Sequence, residues 1–322
     1  MGKVVITPEE LAKSAHKYRK ELLVMAVIAL QSSLQHMTLR TGIRYKETVG
    51  ELSGGIEIGP YDEKREDDSD VKIDGRALET FLGSVIKKFS PNSVYQSIYG
   101  SSIISGDGLK NVDITYAVVA YLMKQISKSI NNCLWNAVRK DTGTLTKDLF
   151  NGFDTITATE ITAGKISVAN GNLYQFSEEI SNVNAVDLLK EFWRNASDEL
   201  QGESCKLFMS KSIYNAYVDD YQQTVGSVPY NREFKKTFLE GSDDMCEFVA
   251  LPNKKGSPFL HLTKKSNILV GTDLESDIEK ITIEKHHPFI LDFVCAMFFG
   301  CQFETISKQR FLVGKLYSEP EP

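Results

Sequence analysis

The stretch HHPFILDFVCAMFFGCQFE, His286 to Glu304, constrains the fold more than any other part of the chain. In an extended strand, successive side chains point to opposite faces. Phe289, Leu291, Phe293, Cys295, Met297 and Phe299 share one face, and Ile290, Val294, Ala296 and Phe298 share the other. Both faces are apolar, which predicts a strand buried on both sides, or covered by helix on one of them. Asp292, Gln302 and Glu304 punctuate the run, so no uncharged piece approaches the roughly twenty residues that a membrane-spanning helix needs. Gly300 in such a strand predicts a bulge or the close approach of another backbone.

A core with room for that strand is within reach of 322 residues, as one large domain or two ordinary ones. The formal net charge of −6 excludes a protein that wraps nucleic acid by neutralising phosphates, although contact at a local patch stays open. The five cysteines, Cys133, Cys205, Cys246, Cys295 and Cys301, form no CxxC and are odd in number. That excludes a disulfide framework and a zinc ribbon, and predicts small buried hydrophobes in a reducing compartment. LLVMAVIAL, Leu22 to Leu30, follows the basic KYRK and imitates a signal peptide. It is too short to span a bilayer, stands behind Glu9, Glu10 and Glu21, and has no cleavage site close by, so a buried helix turn is expected.

Helix signals are strong at two places. Thr7-Pro8-Glu9-Glu10 is a capping box with proline at the first helical position, and the helix it opens is expected to run to about Met37. From Asp113 to Arg139 there is no Gly or Pro, and Val118, Leu122, Ile126, Ile130, Cys133 and Ala137 recur at three- and four-residue steps. A helix of that length, roughly 40 Å, is the expected backbone of a domain and the natural cover for the closing strand. Between them, Thr38 to Gly75 combines strand-like pieces, many glycines and a charge run from Asp62 to Asp70. It reads as an extended arm or hairpin with a solvated tip. RALETFLGSVIKKFSP, Arg76 to Pro91, is expected to be a short helix. In the second half, Thr155 to Val168 reads as strands or short turns. Asn184 is expected to cap a helix over 185–200, and Ser210 to cap the helix KSIYNAYVDDYQ after the strand CKLFM. CEFVALP, FLHLT, NILVGTD and KITIEK read as further strands. The class is α+β, without the regular strand–helix alternation of a Rossmann or barrel fold.

The chain carries no GxGxxG, Walker, GxSxG or HExxH motif. His286 and His287 would point to opposite faces of a strand and so not share a metal. Asp70, Asp74 and Gly75 fit a calcium loop, but Lys72 and Phe81 stand where oxygen ligands are required. The pairs Asp219-Asp220 and Asp243-Asp244 read as solvated surface, not as a general acid and base held apart. No catalytic, cofactor-binding or metal residue is assigned, and no cofactor is expected.

The segments KKFSPNSVYQSIYGSS, LFNGFDTITATEITAGKISVANGNLY, CKLFMSKSIYNAYVDDYQ, PNKKGSPFLHLTKKSNILVGTD and MFFGCQFETI resemble those of the HK97-fold major capsid proteins of tailed bacteriophages. The likeness is nearest to phages and prophages of Bacteroides-type bacteria and runs from about Thr7 to Val313. It implies an N-terminal helix or arm over 1–37 and an extended E-loop with its flanking helix over 38–108. A P domain with the spine helix would follow over 109–152, an A domain over 153–273, and a return to the P domain over 274–322. It further implies a subunit that is not an enzyme and self-assembles into pentamers, hexamers and a closed shell. That shell would enclose double-stranded DNA without sequence-specific binding. Portal, scaffold or maturation protease and decoration proteins are the other partners it implies, with no membrane. The place implied is the virion capsid, made in the bacterial host cytoplasm. Only about forty residues precede the arm, so internal scaffolding would be short, separate or absent. No residue matches the Lys–Asn cross-link of some relatives. An encapsulin-type nanocompartment shell is the nearest alternative, and a soluble enzyme of unknown type the alternative from another class.

Overall fold

The closing strand is the longest in the molecule's described part, Ile290–Phe303, and the rest of its sheet is built on it. The computed structural model describes residues 31–53, 72–89, 114–225, 237–273, 282–287 and 290–318. In chain order these give α1 (Gln31–Leu34), β1 (Thr38–Arg40), β2 (Lys46–Ser53), β3 (Lys72–Glu79), β4 (Phe81–Phe89), α2 (Ile114–Cys133), α3 (Phe153–Thr162), β5 (Leu173–Gln175), α4 (Ala185–Arg194), α5 (Asp198–Gln201) and β6 (Cys205–Ser210). There follow α6 (Lys211–Val225), β7 (Cys246–Leu251), β8 (Phe259–Thr263), β9 (Ile268–Thr272), β10 (Thr282–His287), β11 (Ile290–Phe303) and β12 (Phe311–Lys315). Of the helix expected to run to about Met37, the described part ends at Leu34; the part before Gln31 with LLVMAVIAL, the charged tip, and SVYQSIYGSS lie outside the described residues.

Strand β11 pairs antiparallel with β4, β10 and β9, and β9 pairs parallel with β1. A second sheet has the order β5-β12-β8-β6-β7. It is buried on both faces. One face carries Phe208, Val249, Phe259, Phe311 and Val313 into a core shared with Trp135, Phe153, Met297, Phe299 and Phe303. The other carries Leu207, Met209, Leu260, Leu262 and Leu312 against α4 and α6, where Leu189, Phe192, Trp193 and Tyr217 complete a separate core. β2 and β3 form a two-stranded ribbon of their own, the expected hairpin.

The closing strand is core, as its pattern predicts, but not equally on both faces. Phe293, Cys295, Met297 and Phe299 are buried, and Ile130, Cys133 and Leu134 at the end of α2 pack in the same cluster as Met297 and Phe299. On the opposite face Val294 and Ala296 are only half-buried.

Six expectations are corrected. The segment 76–89 is strand, not helix. Its apolar spacing fits both periods, but Gly83 weakens a helix by about 1 kcal/mol, and the ladder to β11 runs unbroken from Phe89 to Phe81. Gly83 also makes room for Leu149, which stands 2.9 Å from where a Cβ would be. Conversely, the Thr-rich segment after Gly152 is helical over 153–162. There Thr157, Thr159 and Thr162 donate their hydroxyls to the carbonyls four residues back, and Phe153 and Thr157 are buried. Helix α2 stops at Cys133, six residues short of Arg139. Trp135 turns into the core, and the Val138 amide donates to the Lys147 carbonyl and the Gly152 amide to that of Ala137. Finally, Asn184 sits at the cap of α4, but its Oδ1 accepts from the Ser181 backbone and hydroxyl. The buried amide of Val186 instead donates to Oδ2 of Asp220, at 2.7 Å. Asp220 is therefore buried structure and not solvated surface. The expected helix over 185–200 also breaks at Asn195, and Ser197 restarts it by accepting from Leu200 N. Ser210 caps α6 as expected, accepting from Ile213 N.

Candidate functional site

Three features stand out: the ribbon, its anchor and the open face of the first sheet. The ribbon joins Lys46–Ser53 to Lys72–Glu79 in register, with Gly50 opposite Gly75. Its described apolar support is one small cluster, Val49 and Leu78 with Ile43 and Leu269, at the base.

The base is fixed by fit and by charge. Gly300 and Gly271 are register partners on β11 and β9. A Cβ on Gly300 would stand 2.0 Å from the Glu79 carbonyl oxygen, and one on Gly271 would stand 2.9 Å from the Thr80 methyl. Two bare backbones side by side thus form the seat over which the end of β3 passes, the close approach that Gly300 predicts. Beside the seat, the Arg76 guanidinium donates to Glu160 Oε1 at 2.7 Å, Gln302 Oε1 at 3.0 Å and the Phe303 carbonyl at 3.1 Å. Gln302 Nε2 returns a bond to the Ala77 carbonyl. Thr80 closes the other side, donating its hydroxyl to the Ile43 carbonyl and its amide to that of Tyr45. Tyr45 adopts φ +70°, and Arg44 next to it pairs with the buried Asp273 at 2.6 Å. The sequence pattern gives no hint of Arg76, Glu160 or Gln302, because their meeting depends on a strand that its spacing disguises as helix.

The open face lies on β4 and β11. Leu82 and Ile86 stand opposite Phe298 and Val294 in register, so they share a face. Leu82 is 51% exposed, Ile86 64% and Tyr45, edge-on to Phe298, 69%. On the other face, a groove of about 770 Å³ runs between α2 and the sheet, floored by Phe293, Cys295 and Met297 and walled by Tyr121, Gln125 and Ile126. Arg139 closes one end, its guanidinium 3.8 Å from the centre of the Phe81 ring.

The polar chemistry of the interior is structural. Lys254, fully buried, donates to Asp154 Oδ1 at 2.8 Å and Ser257 Oγ at 2.9 Å, and lies 3.8 Å from the Trp135 ring. Burial lowers its pKa to about 8, with Asp154 pulling the other way. His261 Nε2 meets Thr157 Oγ1 at 2.9 Å, and burial pushes this imidazole well below the usual range, with Lys254 adding to the effect. None of these residues lines the groove between α2 and the first sheet. Nothing in PNKKG distinguishes Lys254 from its exposed neighbour Lys255. Among the described residues no cluster of three or more metal-ligating side chains occurs. His287 stands at an irregularity in the pairing of β10 with β11. Asp74 and Gly75, read against a calcium loop, lie on paired strand β3.

No protein-family model and no curated protein matches the chain. Solved structures do. A chain of the satellite phage P4 procapsid, solved with its size determination (Sid) protein, matches with a TM-score of 0.57 and 12% identity, over 91% of this chain and 98% of that one. The cyanophage A-1(L) capsid asymmetric unit matches with a TM-score of 0.55 and 13% identity, over 92% and 93%. The capsid of an empty GTA particle matches with a TM-score of 0.57 and 11% identity, over 90% of each. The chain has the HK97-type capsid fold. The likeness spans about nine-tenths of the chain, which takes in the ribbon and two lobes, one around each five-stranded sheet.

Proposed function

We propose that this chain is the structural subunit of an icosahedral phage shell, assembling into pentamers and hexamers that enclose double-stranded DNA. The observation that carries the reading is the ribbon: a two-stranded pair whose described residues share one small apolar cluster, anchored at its base and set beside an open apolar sheet face. A lone two-stranded hairpin is marginal in water, and exposed apolar surface of this kind marks contact sites. Both make sense when a neighbouring subunit covers them. The likeness in fold to capsid chains over nearly their full length supports the same reading.

In this reading β2 and β3 are the E-loop and α2 the spine helix of the P domain. The second sheet with α4 and α6 belongs to the A domain, and β10 and β11 return to the P domain. The boundaries at 37, 108, 152 and 273 follow the resemblance given above. The product stands in the virion shell after synthesis in the host cytoplasm. No helix among the described residues is long and apolar enough to cross a membrane. The Bacteroides-type origin rests on the likeness of the quoted segments alone. No reaction is assigned to the chain, and portal, scaffold or protease and decoration proteins are partners in prospect. The test is electron microscopy of the protein co-expressed with its neighbouring genes. Rings and closed shells, with DNA in native particles, are expected. Shells packed with an enzyme cargo would make it a nanocompartment protein, and a strict monomer under these conditions would refute the reading.

A further inference from the structure

Cys205 and Cys246 stand directly opposite each other. They are the first residues of β6 and β7, which pair parallel, and they are register partners. Parallel neighbours lie about 4.8 Å apart, inside the roughly 4.4–6.8 Å between Cα atoms that a disulfide spans. Register partners project to the same face, and both side chains enter the core between the sheet and α4 and α6 with no exposed surface. The neighbouring Cys205 thiol, together with burial, pushes the Cys246 thiol well above its usual range.

Burial alone would make them inert, but their place in the strand does not. Both lie at the entry to the sheet, next to the turn 241–245. In that turn Gly241, Asp243 and Asp244 all have positive φ, a conformation that costs energy for the two aspartates. Asp243, Asp244 and Met245 are exposed on one strand's approach, and Glu203 and Ser204 on the other's. A strained surface turn one residue from Cys246 is where local opening would admit a small reagent. The other close pair differs. Cys133 Sγ donates to the Ser129 carbonyl at 3.1 Å and Cys301 Sγ to that of Asn151 at 3.0 Å, whereas Cys205 Sγ reaches the Met245 carbonyl only at 3.6 Å, in the turn itself.

We propose that Cys205 and Cys246 are a latent disulfide, kept as thiols in a reducing compartment and closed when the protein meets an oxidising one. The oxidant is a low-molecular-weight disulfide. One cysteine loses its proton and attacks it, releasing one small thiol and leaving a mixed disulfide. The second cysteine then attacks the protein sulfur and releases the other small thiol. Two protein thiols are oxidised and one small disulfide is reduced. The product ties edge strand β7 to β6 and closes the chain between residues 205 and 246.

The test is incubation of the folded protein with oxidised glutathione, followed by thiol counting after denaturation and peptide mapping. The count should fall by two from the chain's five, the mass should drop by two hydrogens, and the peptides holding Cys205 and Cys246 should be linked. The rate should rise with pH, because the Cys246 thiol resists deprotonation. A chain with both cysteines replaced by alanine should keep its remaining thiols. Five thiols after oxidation, a glutathione adduct that never closes, or a link between Cys133 and Cys301 would overturn the proposal. The map of the unmodified sequence decides even if the double alanine chain does not fold.

Discussion

The ribbon and the second sheet are made of the same backbone ladders, yet they stand at opposite ends of stability. In the second sheet five strands are sealed on both faces by separate apolar cores. In the ribbon two strands pair along eight positions, and the apolar support described for them is a single cluster at the base. Hydrogen bonds between strands largely exchange for bonds to water, so a ladder by itself contributes little net stability. Burial makes the difference. The lobes should therefore fold by themselves, while the ribbon takes its position from an anchor at one end and from whatever covers it along its length.

The contrast breaks first if the lobe's interior tolerates loss of its charge partner. Asp154→Ala leaves the Lys254 ammonium buried and unpaired, and should cost about 3–5 kcal/mol in denaturant unfolding. Adding Lys254→Met should restore much of that. A neutral single change would mean the lobe is far looser than described. Phe293→Ala, at the floor of the groove, should cost a similar 3–5 kcal/mol.

A smaller effect separates the two regions. Gly300→Ala places a methyl against the Glu79 carbonyl, and should cost about 1–3 kcal/mol by overpacking. Hydrogen exchange should quicken at Lys46–Val49 and Arg76–Glu79 and stay unchanged in β6 and β8. Equal quickening in both places would deny that the ribbon is anchored separately.

The smallest effect is in pH. His261 stays neutral in the fold well below its ordinary 6.5, so below that pH the unfolded chain binds a proton that the folded one does not. Its contribution is complete above about pH 6.5 and is lost as pH falls, at up to about 1 kcal/mol per unit. His36, also lowered by burial, acts in the same direction. His261→Gln should flatten the fall in melting temperature between pH 7 and 5.5. An unchanged slope would place the proton elsewhere.

Legibility in the sequence follows the same division. The closing strand, the ribbon, strands β6, β7 and β8 and the cap at Ser210 are local patterns and were readable, whereas the short strands β5 and β12 and the cap at Ser197 were not read. Segment 76–89 was not, because its apolar positions fit two periods and only pairing with β11 decides between them. Helix α3 was hidden by its threonines, whose β preference yields to hydroxyl bonds within the helix. The anchor of Arg76, Glu160 and Gln302, the Lys254–Asp154 pair and the cap from Asp220 join residues far apart in the chain, so no local pattern carries them.

The most direct measurement compares shell formation by the intact chain and by a chain lacking Gly50 to Gly75, cut where those two glycines face each other in register. Both are co-expressed with the neighbouring genes and examined by size exclusion and electron microscopy. The account predicts closed shells from the intact chain. From the shortened one it predicts soluble protein with unchanged lobe stability and no shells. Normal shells without the ribbon, or none from the intact chain, would contradict it.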